Sequence, residues 1–167
     1  MTETDQTAHQ LPEPVPPSVA ALQRMPLLLQ TVQASIHAQV ALIQRTAPAF
    51  SGQRIPLTRL EVALQSQQAG VVLLEGAPGS GVTTLLAHLA STRPMPFWFA
   101  DADQGNGAAT LAAQIIALYD LDVPLIPPAT RIDAHALEAV LLAAVQRKPD
   151  TPLIILIDMP TCTAQPL

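Results

Sequence analysis

Val71-Val72-Leu73-Leu74-Glu75-Gly76-Ala77-Pro78-Gly79-Ser80-Gly81-Val82-Thr83-Thr84-Leu85-Leu86 is the stretch around which the rest of this chain is arranged. An apolar run with strand character leads into a glycine-rich loop, and the loop opens a helix. Gly76, four intervening residues, Gly81, one more residue and Thr83 have the spacing of a phosphate-binding loop. Glycines let the backbone fold around an anion. The helix N-terminus behind them turns unpaired N–H groups and partial positive charge toward it. Val82 stands where the pattern calls for lysine, so the ammonium that meets β- and γ-phosphates is missing. Thr83 keeps the hydroxyl suited to magnesium, and Thr84 adds a second. The alternative reading of the same residues is a plain turn between strand and helix.

Outward from the loop, composition bounds the class. The 167 residues suit one core, with 49% apolar and 13% charged residues. A net charge of −5 and the lack of a Lys/Arg cluster argue against nucleic-acid binding. Apolar runs fall short of a membrane span and the acidic N-terminus does not read as a secretory signal, so a cytoplasmic protein is expected. Cys162, the single cysteine, forms no internal disulfide and is assigned no role.

Three segments are expected. Residues 1–18, rich in proline and acid, read as a disordered tail. Residues 19–49 read as a helical leader in which Leu22, Leu29, Ile36 and Ile43 recur every seven residues; Gln30, Gln33, Gln39 and Gln44 are assigned to its polar face. Packing of this helix on its own domain is favoured over a role in self-association or partner binding near residues 26–43. Residues 50–167 hold the loop and the remaining elements. Helical spacing covers Leu57 to Gln68, the stretch after the loop to about Ser91, Ala108 to Tyr119, and Ala134 to about Lys148 with Asp133 as N-cap. His88 reads as a packed side chain. Strands are expected at Val71–Glu75, Phe97–Ala100 and Leu153–Asp158. The last is a continuous apolar run, as in a parallel strand covered on both faces. Asp101 and Asp103, beyond the second strand, read as turn residues before a metal or acid–base pair.

An apolar strand ending in Asp158, downstream of such a loop, has the form of a Walker B strand whose carboxylate reaches magnesium. On these residues the chain resembles the STAND branch of P-loop NTPases, the NACHT-like and AAA-related ATPases of signalling and defence. Phe50-Ser-Gly-Gln-Arg54 is similar to that family's aromatic-or-Val-Gly-Arg motif beside the nucleotide base, and Leu85-Leu86-Ala87-His88-Leu89-Ala90 to the helix after the loop. The resemblance implies an α/β fold, a partial three-layer P-loop sandwich around a short parallel sheet. It implies ATP or ADP with Mg²⁺ at Gly76, Ala77, Pro78, Gly79, Ser80, Gly81, Val82, Thr83 and Thr84, with Arg54 on the base side and Thr83 and Asp158 on the metal. Met159 follows Asp158 and residues 159–167 hold no acid, so the carboxylate that polarises water is missing and hydrolysis is expected to be weak or absent. Family strand order puts a further strand between the loop strand and the Asp158 strand. The expectation is therefore a truncated, degenerate module with a gap in its sheet or a direct pairing across it. A non-enzymatic interaction module, or a fragment of a larger ATPase, is the alternative.

Overall fold

The computed structural model describes residues 30–51, 54–65, 70–77, 79–103, 105–122 and 134–159. The proline-rich tail, Leu22, Leu29, Pro78, Asp133 and Cys162 lie outside them. Among the described residues five α-helices and two strands are assigned: α1 (Gln30–Thr46), α2 (Arg54–Gln65), α3 (Val82–Thr92), β1 (Phe97–Phe99), α4 (Gly107–Tyr119), α5 (Ala134–Arg147) and β2 (Leu156–Asp158). The chain is thus mixed α/β, mostly helical, with a two-stranded parallel sheet. β1 and β2 pair in the register Phe97 to Leu156, Trp98 to Ile157 and Phe99 to Asp158.

Local chemistry explains most boundaries. α3 starts at Gly81, whose left-handed φ of 87° releases the chain into Val82, and it stops before Pro94 with the Arg93 N–H on the Leu89 carbonyl. Ser91 and Thr92 hydroxyls both donate to the His88 carbonyl in that last turn. α4 is alanine-rich and ends where Asp120 turns left-handed; Leu121 N–H then closes onto the Ile116 carbonyl.

Packing follows the apolar faces. α1 (Leu42, Ile43), α2 (Leu60) and α3 (Leu85, Leu89) form one cluster with Phe97, Phe99 and Leu156. α4 and α5 form a second through Ile115, Ile116 and Val140. Residues before and within β2 divide between them: Ile154 and Leu156 join the first cluster, Leu153 and Ile155 the second. Alternate side chains of an extended chain point to opposite faces, so Leu153–Leu156 is covered on both, whereas Ile157 is 51% exposed and only Leu156–Asp158 of the expected Leu153–Asp158 strand forms. Val32, Ile36 and Val40 bury the heptad face of α1 against Ala113 of α4. That is the intramolecular packing favoured for the leader.

Two sequence expectations change here. Gln39 belongs to the interior of α1, not to its polar face: it is 0% exposed. Its amide donates to the Phe99 carbonyl at 2.9 Å, and its carbonyl accepts the Phe99 N–H at 2.7 Å. Gln114 of α4, also 0% exposed, does the same for Phe97, at 3.0 and 3.1 Å. β2 occupies the opposite edge of β1, where the Leu156 N–H meets the Pro96 carbonyl. Two primary amides therefore stand in for a neighbouring strand and terminate the sheet at β1.

The second change is Val71–Glu75, which forms no strand. It runs as coil, with Val71 93%, Val72 48% and Leu73 74% exposed. Only Leu74 packs inward, onto the first cluster. A strand exists through its partners, and no other described segment pairs with this one. It lines a groove with β2 and does not pair with it, so neither the direct pairing nor the loop strand of the expected three-layer P-loop sandwich is present among the described residues.

Candidate functional site

The loop and the carboxylate meet across that groove, an open cleft of about 1590 Å³. Gly76, Ala77, Gly79, Ser80, Gly81, Val82, Thr83 and Thr84 line one side and Asp158 the other. Gly76, Ala77, Gly79 and Ser80 are exposed, whereas Val82, Thr83 and Thr84 occupy the half-buried first turn of α3. Pro78 and the side chain of Arg54, which begins α2, lie outside the described residues.

The loop's shape depends on its glycines. Gly79 and Gly81 both adopt left-handed φ, 81° and 87°, which a side chain would strain. Between them the Ser80 N–H closes a tight turn onto the Ala77 carbonyl at 2.9 Å. A Cβ on Gly76 would collide with the Ser80 Oγ and come within 3.0 Å of Val82 Cγ2. Val82 itself packs on the first apolar cluster. An apolar contact thus occupies the lysine position.

At the far end of β2, Thr83 and Asp158, 75 positions apart in the sequence, line the same groove. Burial pushes the Asp158 carboxyl above its ordinary range, the Thr83 hydrogen bond opposes that, and the Asp101 charge adds to it. Asp101 is the residue that sequence reasoning undervalued. It lies in the short 3₁₀ turn Ala100–Ala102 directly after β1, and because β1 pairs with β2 in parallel, both strands deliver a carboxylate to the same end. The available signal was two apolar runs each closed by Asp, which a parallel sheet must bring together. The motif around Phe50 is tied to the same helix: the Phe50 ring stacks on His88 of α3 with centroids 4.3 Å apart.

Among the described residues no group of three or more His, Cys, Asp or Glu forms a metal cluster. The oxygens of Thr83 and Asp158 are nevertheless hard donors, the type that suits Mg²⁺. The groove lining carries Glu75, Asp101 and Asp158 but no lysine or arginine among the described residues. No described helix is long and apolar enough to cross a membrane.

A raised carboxyl pKa has a signed consequence. The folded chain holds the Asp158 proton more tightly than the unfolded chain does. The Asp158 contribution to stability is therefore full below the unfolded pKa near 3.8 and is lost as pH rises through the higher native value. Asp158→Asn keeps an acceptor for Thr83 and removes the charge. Without ligand at neutral pH this variant is expected to melt at a higher temperature than the parent, with the gap closing as pH falls below the carboxylate range. Parallel melting curves against pH check this, and an unchanged gap at every pH would count against a strained carboxylate.

Comparison with protein-family models, with curated proteins and with solved structures found no match. The functional reading therefore rests on the geometry of this chain.

Proposed function

We propose that this chain is a nucleotide-binding module that takes ATP or ADP with Mg²⁺ and hydrolyses it weakly or not at all. The observation that carries the reading is that Thr83 and Asp158 line one groove with a glycine-rich loop at a helix N-terminus. Main-chain N–H groups of Gly76, Ala77, Gly79 and Gly81 supply donors for phosphate oxygens, and the N-terminus of α3 adds its partial positive charge. Thr83 and Asp158 are the residues for the metal. What the metal supplies, when bound, is charge neutralisation of the phosphates. The loop resembles that of signalling ATPases in spacing, and the missing lysine and the Met159 that follows Asp158 are the reasons for assigning binding rather than turnover.

The charge balance makes this reading specific. A polyphosphate entering this groove meets three carboxylates and no described cation, so its affinity depends on the divalent metal. Nucleotide is expected to raise the melting temperature in the presence of Mg²⁺ and to have no effect in EDTA. Saturation at about 100 times Kd corresponds to roughly 2.7 kcal/mol of stabilisation. Thr83→Ala and Asp158→Asn are both expected to abolish the shift. Val82→Lys is expected to tighten binding by about 10- to 100-fold, in line with roughly 1.4–3 kcal/mol for a charge pair of this kind. If neither the parent nor Val82→Lys shifts with MgATP or MgADP, the reading fails and the loop is a structural turn.

A further inference from the structure

We propose, resting on the nucleotide-binding reading, that Gln39 is a positioning residue through which α1 sets how the strand-end carboxylates face the helix carrying Thr83. Its place in the sheet distinguishes it from the other buried amide. Gln114 of α4 holds Phe97, whose register partner is Leu156, a core residue. Gln39 of α1 holds Phe99, whose register partner is Asp158. The two clamps have the same chemistry, and only Gln39 acts at the end of the sheet where the candidate site lies.

Phe99 is the last residue of β1, and the 3₁₀ turn Ala100–Ala102 follows without a break. Asp101 in that turn and Asp158 opposite Phe99 both line the groove. The Phe99 N–H and carbonyl are held by one planar amide, at 2.7 and 2.9 Å. Two bonds to one rigid group fix both the height of the strand end and its rotation, which a single bond leaves free. The backbone that delivers Asp101 therefore takes its aim from α1.

The same helix is anchored to the opposite wall. Leu42 and Ile43 of α1 share a cluster with Leu85 and Leu89 of α3, whose first turn carries Thr83. Phe50, just beyond α1 and the short turn Ala47–Ala49, stacks on His88 of α3. The Thr110 hydroxyl of α4 donates to Ser35 Oγ at 2.9 Å, and both residues are fully buried. That bond fixes the rotation of α1 about its own axis and so directs Gln39, four residues on and on the same face. α1 thus holds α3 by apolar packing and β1 by hydrogen bonds. A ligand that engages Thr83 and Asp158 together favours the docked α1, and by linkage the docked α1 tightens that ligand.

The test replaces each amide by its ionisable isostere. A protonated carboxyl donates and accepts as the amide does, whereas a carboxylate only accepts and confronts the Phe99 carbonyl. Burial keeps such a carboxyl protonated at mildly acidic pH. MgADP is titrated into the parent, Gln39→Glu and Gln114→Glu from mildly acidic to neutral pH, at a temperature where circular dichroism shows each chain folded. The Gln39→Glu affinity, divided by the parent's at the same pH, is expected to fall about tenfold across this range, the order seen for outer-shell partners of a metal site. The Gln114→Glu ratio is expected to stay flat. Both variants bury the same new charge, so a purely structural role moves the two ratios alike, and that result overturns the proposal. The parent chain supplies a second readout that needs no folded variant: MgADP is expected to shift the side-chain NH₂ resonances of Gln39 and to leave those of Gln114 in place. Equal shifts, or none at Gln39, with MgADP bound overturn the proposal and leave nucleotide binding standing. A parent that binds no MgADP removes both.

Discussion

Gln39→Leu is expected to lower the melting temperature of this chain by roughly 10 °C while leaving its helix propensity almost unchanged. The side chain volume is nearly conserved, so no large cavity forms. What is lost is the pair of hydrogen bonds to Phe99, whose N–H and carbonyl stay buried without partners. Each such group costs about 1–3 kcal/mol, so the pair costs about 2–6 kcal/mol. Gln33→Leu, nearly two turns away on the exposed side of α1, serves as the control and is expected to change stability by less than about 0.5 kcal/mol. Gln114→Leu orphans Phe97 in the same way and is expected to cost a similar amount. Combining the two approaches the whole stability of a typical domain, about 5–15 kcal/mol, and the double variant is expected to lose its cooperative transition. Thermal denaturation by circular dichroism decides it. If Gln39→Leu melts with the parent, the amide clamps do not hold β1.

Phe97→Ala is the second large effect. Phe97 is 0% exposed and sits in the first cluster with Phe99, their ring centroids 6.1 Å apart. Truncation removes the transfer energy of the ring and leaves a cavity between α3 and the sheet, about 3–5 kcal/mol together. Chemical denaturation is expected to show this as a lower midpoint with an unchanged slope. Leu73→Ala, by contrast, removes a side chain 74% exposed and is expected to be nearly silent. The comparison separates the two apolar runs flanking the loop's helix: Phe97–Phe99 holds the core, Val71–Leu74 mostly faces solvent.

The helices were largely legible because their evidence is local. Periodicity placed α3, α4 and α5 to within about a residue, and it put Ile36 and Ile43 on the buried side of α1. Gln39 was misassigned although the same arithmetic was available: it lies three residues after Ile36 and four before Ile43, on the apolar stripe. Residue type outweighed position. A glutamine inside a helix is readable as buried only when the groups it satisfies are known, and those belong to a strand 60 positions away.

The candidate site divided in the same manner. Gly76, Gly81 and Thr83 were singled out by spacing and Asp158 by the apolar run it ends, and the structure sets all four on one groove. Asp101 was passed over because an aspartate before a turn is ordinary; only the parallel pairing of β1 with β2 brings it beside Asp158.

By itself, the sequence determined which segments are helical, where the glycine loop opens a helix, and that the run before Asp158 is apolar enough to be covered on both faces. These follow from side-chain periodicity and backbone stereochemistry, which act within a few residues. Tertiary structure alone decided that Val71–Glu75 pairs with no other described segment, that two glutamines close the β1 edge, and that Thr83 and Asp158 line one groove. Each of these depends on which segments, distant in the chain, come to lie opposite one another.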